Sequence, residues 1–227
     1  MFKTILSSFF LLCSAGLFSN SIDFPKVLDL NFYKYEVPRL GYSSFNHAPE
    51  IGDFLSWLAD SYQVRTVVET GTYCGDTTAF FSQYFDQVHT IETSLMHFNY
   101  SKARLNVFSN VHCYHGGSQE MLPKILPSLV GQRTLFYLDA HGESHWPILD
   151  ELQEIAKTHK DNCLIVIDDF KVPGRRDIEY VVWRGKECSY EYIKDKLEEV
   201  FTGYSYFYVV PINQNSKAKF VAIPASW

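Results

Sequence analysis

Several features are missing from this 227-residue chain, and each absence removes a class of function. Its five cysteines, at 13, 74, 113, 163 and 188, contain no C-x-x-C pair. A zinc site of the usual spacing is therefore not expected, and the set does not read as a disulfide framework. Basic residues are in the minority, 20 Lys and Arg against 26 Asp and Glu, for a formal net charge of -6. That balance argues against charge-driven binding of nucleic acid, and none is expected as a partner. There is no internal repeat and no low-complexity segment. The longest apolar stretch, within residues 1–21, is short for a membrane span. No Gly-x-Gly-x-x-Gly run follows any strand-like segment, which disfavours a nicotinamide oxidoreductase.

What is present describes a globular domain. The apolar fraction is 46% and the charged fraction 20%, with 18 Phe and 15 Tyr available for core or pocket walls. Residues 1–21 begin with Lys3, continue through an apolar centre and leave by Ser19-Asn20-Ser21. They read as a secretory signal peptide or a hydrophobic anchor, with membrane contact confined to this segment. Residues 22–46 hold Pro25, Pro38, Gly41 and many aromatics without a sustained period. They read as an irregular cap, over a site or at a contact between two copies of the chain.

From residue 47 onward the pattern alternates. An amphipathic helix over 47–62 carries Ile51, Phe54, Leu55 and Leu58 on one face, with Trp57 at its border. Strands are expected at 65–70, 88–92, 111–114, 135–139, 163–168, 205–210 and 219–223. Helices fit between them at 77–84, 95–106, 119–129, 147–157 and 190–201. Such alternation implies an α/β fold with a mostly parallel sheet covered on both faces. Residues 211–218 are too few for a crossover helix, so the last two strands should form an antiparallel hairpin.

The chain is organised around Val67-Val68-Glu69-Thr70-Gly71-Thr72-Tyr73-Cys74-Gly75-Asp76-Thr77-Thr78. A buried strand ends in an acid, turns through Gly71 and Gly75, and enters a helix for which Asp76 and Thr77 are candidate N-caps. An acid at that strand end suits a cationic ligand group and would repel a pyrophosphate. Glu92 ends the next strand about twenty residues after the turn, where an acid can accept hydrogen bonds from ribose hydroxyls. Two further apolar strands also end in carboxylates, Asp139 and the pair Asp168-Asp169. Three aspartates at one sheet edge repel one another unless a cation lies between them, and Mg²⁺ with oxygen ligands answers that repulsion.

The Glu69-x-Gly71-x-x-x-Gly75 turn resembles motif I of the class I S-adenosylmethionine-dependent methyltransferases. Tyr137-Leu138-Asp139-Ala140-His141-Gly142, then Trp146-Pro147-Ile148-Leu149-Asp150-Glu151-Leu152, then Val166-Ile167-Asp168-Asp169-Phe170 resemble the cation-dependent O-methyltransferases of the catechol and macrocin types. The resemblance spans roughly residues 47–224. It implies a Rossmann-like, doubly wound, seven-stranded sheet closed by a C-terminal antiparallel hairpin, with residues 47–227 as the methyltransferase domain. It also implies S-adenosylmethionine as cofactor, held by Glu69, Gly71, Thr72, Gly75, Glu92, Ser118 and Asp139. The implied metal site is Asp139, Asp168 and Asp169, and the acceptor is a small-molecule hydroxyl. The turn before Ser118 departs from the family, since Gly117 stands where an aspartate is frequent. His141 is the candidate general base, with His145 and Lys171 competing, because no lysine closely follows Asp139 as it does in the catechol enzymes. Arginines at 175, 176 and 184, in the long connection after Lys171, read as a solvated basic loop or as contacts to an anionic acceptor. The alternative function is an exported binding protein that keeps the fold without catalysis.

Overall fold

The computed structural model describes residues 26–29, 44–142, 145–212 and 217–227. The stretch 1–21, read as signal or anchor, lies outside them. No helix among the described residues is long and apolar enough to cross a membrane.

Seven expected strands form, and an eighth lengthens the sheet. Within the stretch read as an irregular cap, Val27–Asp29 is strand β1, at one edge. The others are β2 (Thr66–Thr70), β3 (Gln87–Glu92), β4 (Val111–His115), β5 (Thr134–Leu138), β6 (Cys163–Ile167), β9 (Tyr204–Val210) and β10 (Lys219–Pro224), with a small separate hairpin of β7 (Val182–Trp183) and β8 (Lys186–Glu187). The order across the main sheet is β1-β9-β10-β6-β5-β2-β3-β4. Strands β6, β5, β2, β3 and β4 run parallel, while β10 is antiparallel to both β6 and β9. The fold is thus Rossmann-like and doubly wound, with its C-terminal hairpin inserted beside β6.

Helices α1 (Pro49–Ser61), α2 (Asp76–Phe81), α3 (Leu95–Leu105), α4 (Ser118–Ile125), α5 (Ile148–His159) and α6 (Tyr190–Val200) connect the strands. Strand side chains alternate between two cores, as a period of two requires. Val68, Phe136, Leu138, Ile165 and Ile167 pack with Leu122, Leu152, Ile155, Ile193 and Leu197 from α4, α5 and α6. Val67, Val88, Leu135, Leu164 and Val166 pack with Ile51, Leu55, Leu58, Phe80 and Phe81 from α1 and α2. The run 119–129, expected as one helix, is α4 followed by a 3₁₀ turn at Leu126–Leu129. Pro123 lies in the second turn of α4, and Pro127 opens the 3₁₀ turn without an N–H to donate.

Ser44–His47 departs from expectation. Phe45, Asn46 and His47 all have positive φ, so the chain makes a left-handed turn before α1. The turn is held to the start of α2: Ser44 Oγ donates to the Asp76 carbonyl at 2.9 Å, and Thr77 Oγ1 accepts from Phe45 N at 3.2 Å. The Phe45 ring packs edge-on against Phe80, Phe81 and Tyr137, and this burial compensates the backbone strain.

Candidate active site

The parallel strands deliver their C-terminal ends to one edge of the sheet. Register pairs Thr70 with Leu138 and Leu138 with Ile167, so the next residues, Gly71, Asp139 and Asp168, emerge at one level. The ladder runs one step further, with Asp139 N donating to the Thr70 carbonyl and Asp168 N to the Leu138 carbonyl. Strand β2 connects to β3 on one side while β5 and β6 continue on the other. The turn after β2 therefore sits at the topological switch, where open α/β sheets bind ligands.

Gly71 has φ +87°, and a Cβ there would lie 2.7 Å from the Asp139 carbonyl oxygen. Glycine is required on both counts. Gly75, at φ +81°, is itself the N-cap of α2, with no side-chain cap. The expectation that Asp76 or Thr77 caps this helix is corrected: both lie inside it. Asp76 instead accepts from Arg104 Nη2 at 2.6 Å, and Arg104 also donates to the Cys74 carbonyl, tying α3 to the turn.

The acids at the ends of β2 and β3 are both engaged by the chain. Glu69, 1% exposed, accepts from Thr78 Oγ1 and, at 2.6 Å, from Thr90 Oγ1, which pairs in turn with Thr72. Burial raises its pKa to about 7, against the opposing effect of the two threonine hydroxyls. Glu92 accepts from Tyr73 N and Ser94 N, each at 2.8 Å, and so anchors the glycine turn to the start of α3. Ser118 is the first residue of α4, behind Gly117 as N-cap, and is buried.

Of the three aspartates, the structure groups two with a histidine. Ligand atoms of Asp139, His141 and Asp169 all lie within 4.8 Å of one another. Asp139 and His141 are partly open, with side chains 32% and 41% exposed and His141 Nδ1 3.8 Å from Asp139 Oδ1. Asp169 is buried with φ +56°; Lys217 Nζ donates to its Oδ2 at 2.6 Å, and its Oδ1 has no partner. Asp168, expected as the third ligand, is not brought into this group. It accepts from the buried Lys219 ammonium, from Tyr137 Oη at 2.6 Å and from Asp169 N. Burial and the charges of Asp168 and Asp169 push the Asp139 carboxyl well above the usual carboxylate range. The unpartnered buried oxygen of Asp169 and the neighbouring Asp139 carboxyl are oxygen donors that fit a divalent cation, with the His141 imidazole beside them.

The competing bases are occupied. His145 Nε2 lies 2.5 Å from Asp150 Oδ2, and Lys171 donates to Glu187 at 2.6 Å. The connection after Lys171 forms a wall, with Trp183 Nε1 donating to the Gly142 carbonyl at 3.0 Å just beyond His141. Arg175 is clamped on Asp177, and Arg184 lies over the Trp183 ring. A cleft beneath Asp139 and His141 is lined by Leu138, Trp146, Ile148, Ile167 and Glu151. Glu151 is not among the site residues that the sequence points to. Its only signal in the sequence is an acid at a position where α5 otherwise turns Ile148, Leu152 and Ile155 to the core.

Comparison with known proteins bears on the fold that carries this site. A family model described as a methyltransferase domain matches residues 68–170. No curated protein sequence matches the chain. Among solved structures, an O-methyltransferase from Bacillus cereus in complex with SAH superposes with a TM-score of 0.58 at 16% identity, covering 78% of this chain and 81% of that one. The O-methyltransferase TomG from Streptomyces achromogenes, involved in tomaymycin synthesis and in complex with SAM, gives 0.57 at 17% identity, covering 77% and 79%. A precorrin 8w decarboxylase from Methanobacterium thermoautotrophicum gives 0.54 at 14% identity, covering 84% and 100%. At these identities the likeness establishes the fold, which hosts more than one reaction.

Proposed function

We propose, from the premise that this chain carries a methyltransferase domain of the class I, S-adenosylmethionine-dependent type, that it transfers the sulfonium methyl group to a hydroxyl oxygen of a small molecule. The observation that carries this reading is the meeting of Asp139, His141 and Asp169 at the sheet edge, beside the glycine turn.

Each residue has a role its surroundings suit. Gly71 lets the turn approach the Asp139 backbone, and the cofactor lies along this turn, with Gly75 and Thr72 shaping it. Glu92, now holding two backbone amides, is the acceptor for ribose hydroxyls. Glu69 fixes the turn through Thr78 and Thr90 and places negative potential beneath the cationic end of the ligand. Asp139 and Asp169 are the carboxylates that would hold a divalent ion, Mg²⁺ in the simplest case. A bound ion would lower the pKa of an acceptor hydroxyl. His141 has Nδ1 toward Asp139, which leaves Nε2 to take the acceptor proton, the resulting imidazolium being stabilised by the Asp139 carboxylate. Holding donor and acceptor in line supplies the remainder of the rate enhancement.

Calorimetric titration of the full chain with S-adenosylmethionine and S-adenosylhomocysteine, with and without Mg²⁺, tests the cofactor. Binding that weakens in Glu92→Ala is expected. An acceptor screen then tests the reaction, with Asp139→Ala expected to abolish turnover while the fold persists. Undiminished turnover in that variant overturns the assignment.

A further inference from the structure

The two carboxylate oxygens of Asp169 are not equivalent. Lys217 Nζ donates to Oδ2 at 2.6 Å, while Oδ1 is buried and has no partner among the described residues. The backbone fixes this setting. Asp169 is held at φ +56°, with its N–H on Asp168 Oδ1 and its carbonyl accepting from Val181 N at 3.0 Å. The lysine is placed as firmly. It lies two residues before β10, where Phe170 N donates to the Ala218 carbonyl at 2.9 Å and so sets the start of that strand beside Asp169. The buried Lys219 ammonium, besides pairing with Asp168, donates to the Lys217 carbonyl at 3.0 Å. The Lys217 side chain is 30% exposed and that of Asp169 only 9%, so the ammonium covers the carboxylate.

An ammonium on one oxygen leaves a single oxygen for an ion. That arrangement suits Mg²⁺, a small ion that demands near-ideal octahedral geometry and keeps several of its waters. Ca²⁺ is larger, takes about six to eight oxygens and gains from a carboxylate that offers both of its own. The lysine therefore acts on the site in two separable ways. Its charge disfavours every divalent cation to a similar extent and does not tell one from another. Its occupation of Oδ2 bears on the ion that needs a second oxygen.

We propose that Lys217 is a positioning residue that selects the ion: by holding Oδ2 it makes Asp169 a one-oxygen ligand, and so favours Mg²⁺ over Ca²⁺. The proposal rests on the metal site described under the proposed function, and adds to it the residue that decides which divalent ion the site takes. Lys217 touches neither ion nor acceptor in this role and works through Asp169.

The test is titration of the full chain with Mn²⁺, the free ion being followed by its electron paramagnetic resonance signal, and then competition by Mg²⁺ and by Ca²⁺. Wild type is expected to bind Mg²⁺ at least as tightly as Ca²⁺. In Lys217→Met the ratio of Ca²⁺ to Mg²⁺ affinity is expected to rise roughly tenfold, because the second oxygen is free. Lys217→Ala is a second route with the same expectation, and thermal unfolding checks that each variant is folded. Loss of charge alone would strengthen both ions equally and leave the ratio where it was. An unchanged ratio in the folded variants, or a wild type that prefers Ca²⁺, overturns the proposal and leaves the metal site standing. Absence of Mn²⁺ binding by wild type removes the metal site itself, and this proposal with it.

Discussion

Lys219 places its ammonium on the carboxylate of Asp168, and neither side chain is open to solvent. The lysine also donates to the Lys217 carbonyl at 3.0 Å. Burial alone would raise the Asp168 pKa, but Lys219, with Tyr137 and Asp169 N, outweighs it and holds the carboxyl below its ordinary value. The charge of Asp168 is thus balanced within the chain. Asp139 and Asp169 are left as the carboxylates that turn toward His141.

Removing the lysine leaves a buried carboxylate without a counter-charge. Lys219→Met should therefore destabilise the fold by roughly 3–5 kcal/mol. The double variant Lys219→Met with Asp168→Asn should recover most of that loss, since it buries no net charge. Urea unfolding of wild type, the single variant and the pair provides the comparison, and equal stability of single and double variants would argue against this account.

The unpartnered Oδ1 of Asp169 makes metal binding measurable without turnover. Mg²⁺ or Mn²⁺ at a hundred times its dissociation constant should stabilise the full chain by about 2.7 kcal/mol, seen as a rise in Tm. Asp169→Asn should remove the rise. His141→Gln should lower kcat by about 10²–10⁴ while leaving S-adenosylhomocysteine affinity unchanged, as expected of a proton acceptor.

At Gly71 the cost of a side chain is both conformational and steric. Gly71→Ala must hold φ +87° and place a methyl 2.7 Å from the Asp139 carbonyl oxygen. The expected loss of stability is about 1–3 kcal/mol, with a fall in kcat because the strain is relieved by moving Asp139. Gly131→Ala, at φ +85° with nothing within 4 Å of its Cβ, shares the conformational cost and should leave kcat unchanged.

His159 supplies a pH test remote from the site. It is fully buried on α5 against Phe136, Nε2 has no partner, and burial lowers its pKa to about 4. Between pH 6.5 and 4 the unfolded chain takes up this proton and the native state does not. Stability from this group is therefore complete above pH 6.5 and is lost as pH falls toward 4, by up to roughly 3 kcal/mol. Glu69 acts in the opposite sense: raised to about 7, it contributes stability that is lost as pH climbs from 4.5 to 7. The measurement is consequently a difference: His159→Leu should show a shallower loss of stability than wild type on acidification from pH 6.5 to 4.

Nearly all of the sheet could be read from residue patterns, because buried parallel strands are continuous β-branched and aromatic runs and the glycine turn is local. Asp139, Asp168 and Asp169 could be placed at one edge for the same reason: strand ends in a parallel sheet align. The short edge strand β1 was not readable, since three residues carry no period and depend on pairing with β9, 181 positions away. The left-handed turn at Phe45 was equally hidden, being stabilised by a ring pocket from α2 and β5.

Which carboxylate does what was a different kind of question. Residue order supplies the charges, but their roles depend on the groups that arrive from distant elements. Lys217 and Lys219 come from the C-terminal hairpin and each pairs with one member of Asp168-Asp169, leaving only Asp169 with an oxygen that has no partner. Glu151 becomes part of the cleft only because α5 packs against α4 and brings it opposite Ser118. Strand order and the positions of the acids follow from local chemistry along the chain. Hydrogen-bond partners and solvent access, which set each acid's ionisation, follow from contacts between segments that are far apart in sequence.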